Sequence, residues 1–494
     1  MTDVRLYGSV PSIRRTVSEE PPPRSLAQIL APYFAEFLGT FVLVFTVGCC
    51  LLAPGDPVWN ATAIGCALMV MVYATGPVSG GNLNPAVSLC LALVGALEWP
   101  RALIYIVVQL LGGISAGFCC AGLFAPMSVQ IEPGPGFSRG YAQSAETVYT
   151  CLLCFVVCNC AVSKRNNPKE DQNQFYALAI GFAVVSAGYA VGVVSGACLN
   201  PAIALGLDIT ALSQSTGYGW HWTLAELVGA LLAAALFRET RPEEFGPESD
   251  LRDHKPALGT RCFAEFLGSF VLVFTVGMNL TVMSPAPAWS AAAALVCMIY
   301  SLGNVSGGHF NPAVTLAVVL SGRGRCSVLD GLAYVLAQLA GGVAAGFFYA
   351  SFHAKGHHRK ETFGLQPGAG YGRNAACTAE VFFTFVLAYV VLACATITKP
   401  QSWKTKQNSY FALAIGACVA AGGFSVGAIS GGEFNPAVCL GVSVGNFAHH
   451  GWLPPPGVNG WLFSLSELFG GILAAAVFRR THTKEFETDL PLPS

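Results

Sequence analysis

Twelve apolar runs alternate with short polar segments along the chain, and each run is about as long as a helix that crosses a bilayer, roughly 20 residues. The first six run Tyr33–Leu52, Ala61–Val78, Ala102–Leu123, Gln143–Ser163, Asn173–Val194 and Gly217–Phe237. A charged stretch from Arg238 to Arg261 follows, and then the pattern restarts. The second six run Cys262–Leu280, Trp289–Val305, Val328–Phe352, Asn374–Thr396, Gln407–Ile429 and Val458–Phe478. Shorter apolar runs of about two turns follow the second and fifth member of each set, and they are too short to span.

Every short run opens on the same tripeptide. Asn84-Pro85-Ala86, Asn200-Pro201-Ala202, Asn311-Pro312-Ala313 and Asn435-Pro436-Ala437 each follow a Ser-Gly turn, in SGGNLNPAVSL, SGACLNPAIAL, SGGHFNPAVTL and SGGEFNPAVCL. Asparagine suits a helix N-cap and proline the first helical position, so each tripeptide predicts a glycine turn that opens a half-length helix. Four half-helices begun by asparagine at membrane depth describe the lining of a pore.

The chain is an internal duplication. Asn84 and Asn311 lie 227 residues apart, Asn200 and Asn435 lie 235 apart, and the pairs Glu36/Glu265 and Gln109/Gln338 are both offset by 229. Each half carries a weaker repeat of three spans: AEFLGT at Ala35 returns as SAETVYT at Ser144, and AEFLGS at Ala264 as TAEVFFT at Thr378. Three is odd, so the quarter repeats sit inverted to each other and bring their broken helices face to face. Six is even, so the halves share one orientation. The expected fold is an all-α membrane protein of twelve spans in two tandem six-helix barrels, each with two re-entrant half-helices. The expected division is a disordered cytoplasmic tail over 1–30, a first barrel over 31–240, a cytoplasmic linker over 241–259, a second barrel over 260–480 and a tail over 481–494.

Composition agrees with a polytopic membrane protein: 53% of the residues are hydrophobic and 11% charged, against about a quarter charged in soluble proteins. A net charge of -1 gives no bulk attraction to nucleic acid. Cys151, Cys154, Cys158 and Cys160 lie within apolar spans among the 18 cysteines, and read as small buried hydrophobes. No metal-ligand spacing with accompanying histidines is present, and neither metal nor cofactor is expected. The polar, proline-rich first thirty residues contain no secretory signal; RRTVS at Arg14–Ser18 there reads as ordinary tail. With both termini cytoplasmic, 21 of the 26 lysines and arginines fall inside and 5 outside, as the positive-inside bias requires. This topology places the sequons at Asn60 and Asn279 outside, as glycosylation candidates.

The pattern AEFxG[TS], SGGxxNPAV and a second SGxxxNPA after the fifth span resembles the aquaporin, or major intrinsic protein, family, twice over nearly the whole chain. That resemblance implies a passive channel for water and small uncharged solutes (glycerol, urea, ammonia or peroxide), with two pores per chain and no enzymatic activity. The partners it implies are the lipid bilayer, those solutes and a second copy, since relatives form four-pore tetramers. A plasma or intracellular vesicle membrane is expected. The competing readings are a non-conducting structural or adhesion protein, a weakly selective ion leak, and a secondary transporter.

Carried over from the motifs, the family's four filter positions fall on Ile64, Gly188, Ala197 and Ile203 in the first half, and on Ala291, Gly423, Gly432 and Val438 in the second. Most water-selective relatives carry arginine after the second Asn-Pro-Ala; here Ile203 and Val438 stand there. Both constrictions are expected to be apolar and the second wide. Glu36, Glu146, Glu265 and Glu380 are expected to brace the re-entrant loops by accepting backbone amide hydrogens. Glu226 and Glu467 in the sixth spans either brace the loop as well or line a crevice. Gly113-Ile-Ser-Ala-Gly117 and Gly342-Val-Ala-Ala-Gly346 predict close packing within each barrel. His353, His357 and His358 read as a solvated outer loop.

Overall fold

The computed structural model describes residues 25–168, 172–211, 214, 217–246, 254–353, 364–397, 409–449 and 459–486. Arg14–Ser18, His357 and His358 lie outside the described residues. In the first half, the long helices are α1 (Leu26–Leu52), α2 (Asn60–Ser79), α4 (Trp99–Phe124), α5 (Arg139–Val157), α6 (Tyr176–Ser195) and α8 (Gly219–Thr240), with short helices α3 (Pro85–Leu93) and α7 (Pro201–Thr210) between them. In the second half, the long helices are α9 (Leu258–Thr281), α10 (Pro287–Ser306), α12 (Val328–His353), α13 (Arg373–Val390), α14 (Phe411–Ser430) and α16 (Gly460–Thr481), with short helices α11 (Pro312–Leu320) and α15 (Pro436–His449). Among the described residues, twelve helices are long and apolar enough to cross a membrane. The protein is an all-helical, multi-pass membrane protein built as two tandem units.

Several boundaries differ from expectation for local reasons. The first helix starts at Leu26, inside the expected tail, because Ser25 and Gln28 form a reciprocal capping box. Past α16, Thr483–Phe486 adds one further turn, held by the Arg323–Glu485 ion pair and by Phe486 against Phe478. The four spans that precede short helices all stop in the same way. Gly80, Gly196, Gly307 and Gly431 take φ of 98°, 91°, 103° and 109°, and each donates its N–H back to the preceding turn. Only glycine adopts that conformation without a Cβ penalty.

The Gly-x-x-x-Gly segments pack as expected within each barrel. A Cβ on Gly113 would meet the Ala202 carbonyl at 2.3 Å, and one on Gly342 the Ala437 carbonyl at 2.5 Å. The missing side chains therefore let α4 lie directly on α7, and α12 on α15.

The two units pack through an unequal pair of faces. Helices α5 and α6 of the first meet α9 and α10 of the second. Of the most apolar stretch of each helix, 78% of α10 and 72% of α5 is buried, against 28% of α2 and 33% of α14. Polar bonds fix the register of this seam. Tyr149 and Thr275 share a hydroxyl bond of 3.0 Å, and Ser290 Oγ donates to Ser186 O at 2.9 Å. Phe175 stacks on Tyr300 with ring centroids 4.2 Å apart.

At one end of the seam, the expected linker contributes a fully buried side chain. Arg241 donates to Asn159 Oδ1 in its own half, and to Ser301 O at 2.8 Å and Asn304 Oδ1 at 2.7 Å on α10. Asn304 in turn bonds Asn166. The expected linker over 241–259 thus begins inside the packed structure.

The seam also corrects one sequon. Asn279 is buried within α9, and its Nδ2 donates to Thr275 O and to Ser290 Oγ, both at 2.8 Å. That amide nitrogen is closed to glycan attachment. Asn60 is half-buried at the start of α2 and donates to Cys50 O.

Arg241→Met would leave three buried acceptors without their donor, at a cost of about 1 kcal/mol each. The expected result is a loss of about 3 kcal/mol, read as a lower unfolding temperature of the detergent-solubilised protein. An unchanged transition would show that the seam does not depend on this side chain.

Candidate functional site

Each short helix starts where its sequence directs. Asn84, Asn200 and Asn311 are N-caps with extended backbone, and the Oδ1 atoms of all four asparagines accept the N–H of Ala86, Ala202, Ala313 and Ala437 at 2.8, 2.9, 2.8 and 2.9 Å. Their amide nitrogens reach across to the opposing loop. Asn84 Nδ2 donates to Leu199 O at 2.8 Å and Asn200 Nδ2 to Leu83 O at 3.0 Å. In the second unit, Asn311 Nδ2 donates to Phe434 O at 2.8 Å and Asn435 Nδ2 to Phe310 O at 2.9 Å. The short helices therefore meet N-terminus to N-terminus, as two reciprocal pairs. An amide nitrogen carries two hydrogens and each bond uses one; all four asparagines line a cavity.

The residue before each asparagine is strained. Leu83, Leu199, Phe310 and Phe434 have φ of 52°, 52°, 48° and 51°, a left-handed conformation that costs a bulky residue about 1 kcal/mol or more. Four carboxylates hold it. Leu83 N–H donates to Glu36 Oε2 at 2.7 Å, Leu199 to Glu146 at 2.8 Å, Phe310 to Glu265 at 2.7 Å and Phe434 to Glu380 at 2.9 Å. The other oxygen of Glu36, Glu146 and Glu265 takes the preceding N–H, of Asn82, Cys198 and His309, each at 3.0 Å. Gln109 and Gln338 donate to Glu36 and Glu265 at 2.7 and 2.8 Å.

The sixth-span glutamates, left open by the sequence, are braces too. Glu226 Oε1 accepts the N–H of Asn200, and Glu467 Oε1 that of Asn435, both at 2.8 Å. These bonds hold the cap residue itself. The choice of glutamate over glutamine at these positions follows no rule visible in the spacing.

A cavity lies against the asparagine pair in each unit. The first encloses 90 Å³ and the second 340 Å³. Ile64, Ala197 and Ile203 line the first, and Ala291, Gly423, Gly432 and Val438 line the second. Gly188 departs from expectation. It is absent from the first cavity's lining and packs on α2, where an added Cβ would meet Ala61 Cβ at 2.6 Å. The first cavity is further narrowed by Val129, Gln130 and Ile131 from the α4–α5 loop. Among the described residues, no arginine or lysine lines either cavity.

A model of the major intrinsic protein family matches residues 24–237, 137–284 and 254–478. The chain belongs to the major intrinsic protein family. Among relatives, it is 34% identical over 219 residues to a glycerol uptake facilitator protein-like 6 from Lactiplantibacillus plantarum, covering 43% of this chain and 99% of the relative. It is 35% identical over 227 residues to aquaporin A of Dictyostelium discoideum, covering 43% of this chain and 79% of that protein. The X-ray structure of the aquaglyceroporin from Plasmodium falciparum matches at 23% identity with a TM-score of 0.37, covering 42% of this chain and 95% of that chain. Each relative matches less than half of this chain, as a tandem major intrinsic protein requires.

Four cavity residues escaped the sequence reading. The position two before each asparagine carries Asn82, Cys198, His309 and Glu433. His309 lines the second cavity, bonds Thr315 Oγ1 through Nδ1 at 3.1 Å and packs edge-on to Tyr334. Glu433 lines the same cavity. The signal was the difference between otherwise matching motifs, since Glu433 alone of the four is an acid.

The brace makes an unequal forecast for two substitutions. Glu226→Leu leaves the buried Asn200 N–H unpaired, at about 1–3 kcal/mol, whereas Glu226→Gln keeps an acceptor. The leucine variant should melt several degrees below the glutamine variant; equal melting temperatures would remove the bracing role.

Proposed function

We propose that this chain is a passive channel with one conduction path through each barrel, for water and small uncharged solutes. The observation that carries the reading is the reciprocal asparagine pair at the middle of each cavity. Helix N-termini bring partial positive charge to the point where Nδ2 donors face the path. That arrangement suits a water or hydroxyl oxygen and opposes cations and proton relay.

The two paths differ in what they admit. In the first, Ile64, Ile203 and a volume of 90 Å³ favour water. In the second, Ala291, Gly423, Gly432 and Val438 surround 340 Å³ and favour larger neutral solutes such as glycerol and urea. Glycerol uptake is also what the name of one relative describes. The protein is placed in the plasma membrane or an intracellular vesicle membrane with both termini cytoplasmic.

Two chains complete the assembly. The seam uses the α5–α6 face of one barrel and the α9–α10 face of the other, which is a heterologous contact. The matching faces, α1–α2 of the first barrel and α13–α14 of the second, remain largely exposed. Repeating the same contact with a second copy closes a four-barrel ring.

Stopped-flow measurements on reconstituted vesicles with water, glycerol and urea test the conduction reading. Val438→Arg should lower glycerol and urea permeability at least tenfold, because a cationic donor then narrows the wide path; Ile203→Arg should leave both nearly unchanged. Movement of water alone in the unmodified protein would overturn the solute assignment, and permeability equal to empty vesicles would overturn the channel. Flux should stay linear in solute concentration; saturation would indicate a transporter. Mass measurement in nanodiscs should find two chains per particle, and a monomer would overturn the ring.

A further inference from the structure

The second cavity holds an acid with no lysine or arginine beside it among the described residues, and its one histidine, His309, bonds Thr315. Glu433 lies two residues before Asn435, in the loop that opens α15, and lines the 340 Å³ cavity. Its Oε2 is buried and has no hydrogen-bond partner among the described residues. The two carboxylates behind the same loop each give one oxygen to backbone, Glu380 to Phe434 N–H and Glu467 to Asn435 N–H, and each keeps a second buried oxygen that does not line the cavity. No lysine or arginine lines this cavity, and Val438 stands in the position where arginine would otherwise place a fixed positive charge. The functional side chain that faces this cavity is therefore an acid where an arginine-bearing filter presents a base.

The carboxyl is also built in. Gly431 has φ of 109°, and a Cβ on it would lie 2.3 Å from Glu433 Oε1. The acid thus lies against the turn that the same glycine closes in all four loops. The corresponding residue in the first cavity is Cys198, so this cavity alone carries the feature.

The surroundings select the ligand. A hydrated divalent metal needs six or more oxygen ligands, and the walls here are aliphatic, with Leu272, Val276, Ala291 and Val438 among them. No group of residues suited to a metal ion occurs among the described residues. A small protonated amine matches both parts: its N–H donors satisfy the Glu433 oxygens, and its alkyl group contacts the apolar wall. The helix N-termini at Asn311 and Asn435 repel the same cation, so it stops at the loop and does not cross.

We propose that Glu433 forms a binding site for small protonated amines of the methylammonium type in the second cavity, and that occupancy obstructs this path. The obstruction rests on the conduction reading above, whereas the binding does not.

The experiment uses the full chain and methylammonium chloride, with choline chloride at equal ionic strength as the control, because choline has no N–H donor. Methylammonium at millimolar concentrations should raise the melting temperature of the solubilised protein by several degrees over choline. Glu433→Gln should abolish this shift, and Glu433→Asp should keep a smaller one. In vesicles, methylammonium should lower glycerol permeability at least threefold, read as the fractional change within each variant, and Glu433→Gln should remove that sensitivity. Equal stabilisation of the unmodified and Glu433→Gln proteins, or none in either, overturns the site. Glu433-dependent stabilisation in vesicles that pass no solute would uphold the site and overturn the conduction reading instead.

Discussion

Backbone that leaves its helix at membrane depth has no water to satisfy its amides, and each unpaired group there costs several kcal/mol. The whole arrangement depends on how this chain meets that demand at four loops. A carboxylate on the first or fourth span of each unit takes the N–H of the strained residue before the asparagine. Three of them take the preceding N–H as well. That grip holds Leu83, Leu199, Phe310 and Phe434 in the left-handed region. Their carbonyls then point to the facing asparagine. Without the carboxylates the reciprocal bonds across each cavity would have no fixed acceptor, and the short helices would have no reason to meet.

This constraint explains which parts of the molecule were legible in the sequence. Span number, the duplication and the short helices follow from hydrophobic runs and cap chemistry, which are local properties. The four bracing glutamates were legible through the resemblance to the family, together with the rule that an ionisable residue in an apolar run needs a polar partner. Glu226 and Glu467 obey the same rule, but the sequence does not say which oxygen meets which amide; that depends on how α8 and α16 pack on α7 and α15. Gly188 shows the opposite failure. Counting placed it at the filter, yet it is not among the residues that line the first cavity, although Gly423 packs on Ala288 as Gly188 does on Ala61 and lines the second.

The seam between barrels was beyond sequence reading for a similar reason. A duplicated chain predicts two equivalent units, and equivalence conceals which faces touch. The contact is unequal: the α5–α6 face is spent in the first barrel and the α9–α10 face in the second. Polar residues that look like surface or sequon, such as Asn279 and Arg241, turn out to be buried there. Their placement makes the relative position of the barrels specific, since each donor or acceptor loses its partner if the seam slides.

Duplication also frees the two cavities to diverge. Both retain the asparagine pair and the bracing carboxylates, because losing either leaves backbone unsatisfied in the membrane. The lining residues carry no such obligation. Ile64 and Ile203 in one unit correspond to Ala291 and Val438 in the other, and Cys198 corresponds to Glu433. The conserved-in-register part of the repeat is thus the part that satisfies backbone, and the divergent part is what a passing molecule touches. A larger cavity with an unanswered acid and a small apolar cavity within one chain are the outcome of that freedom, and the difference between them is chemical rather than architectural.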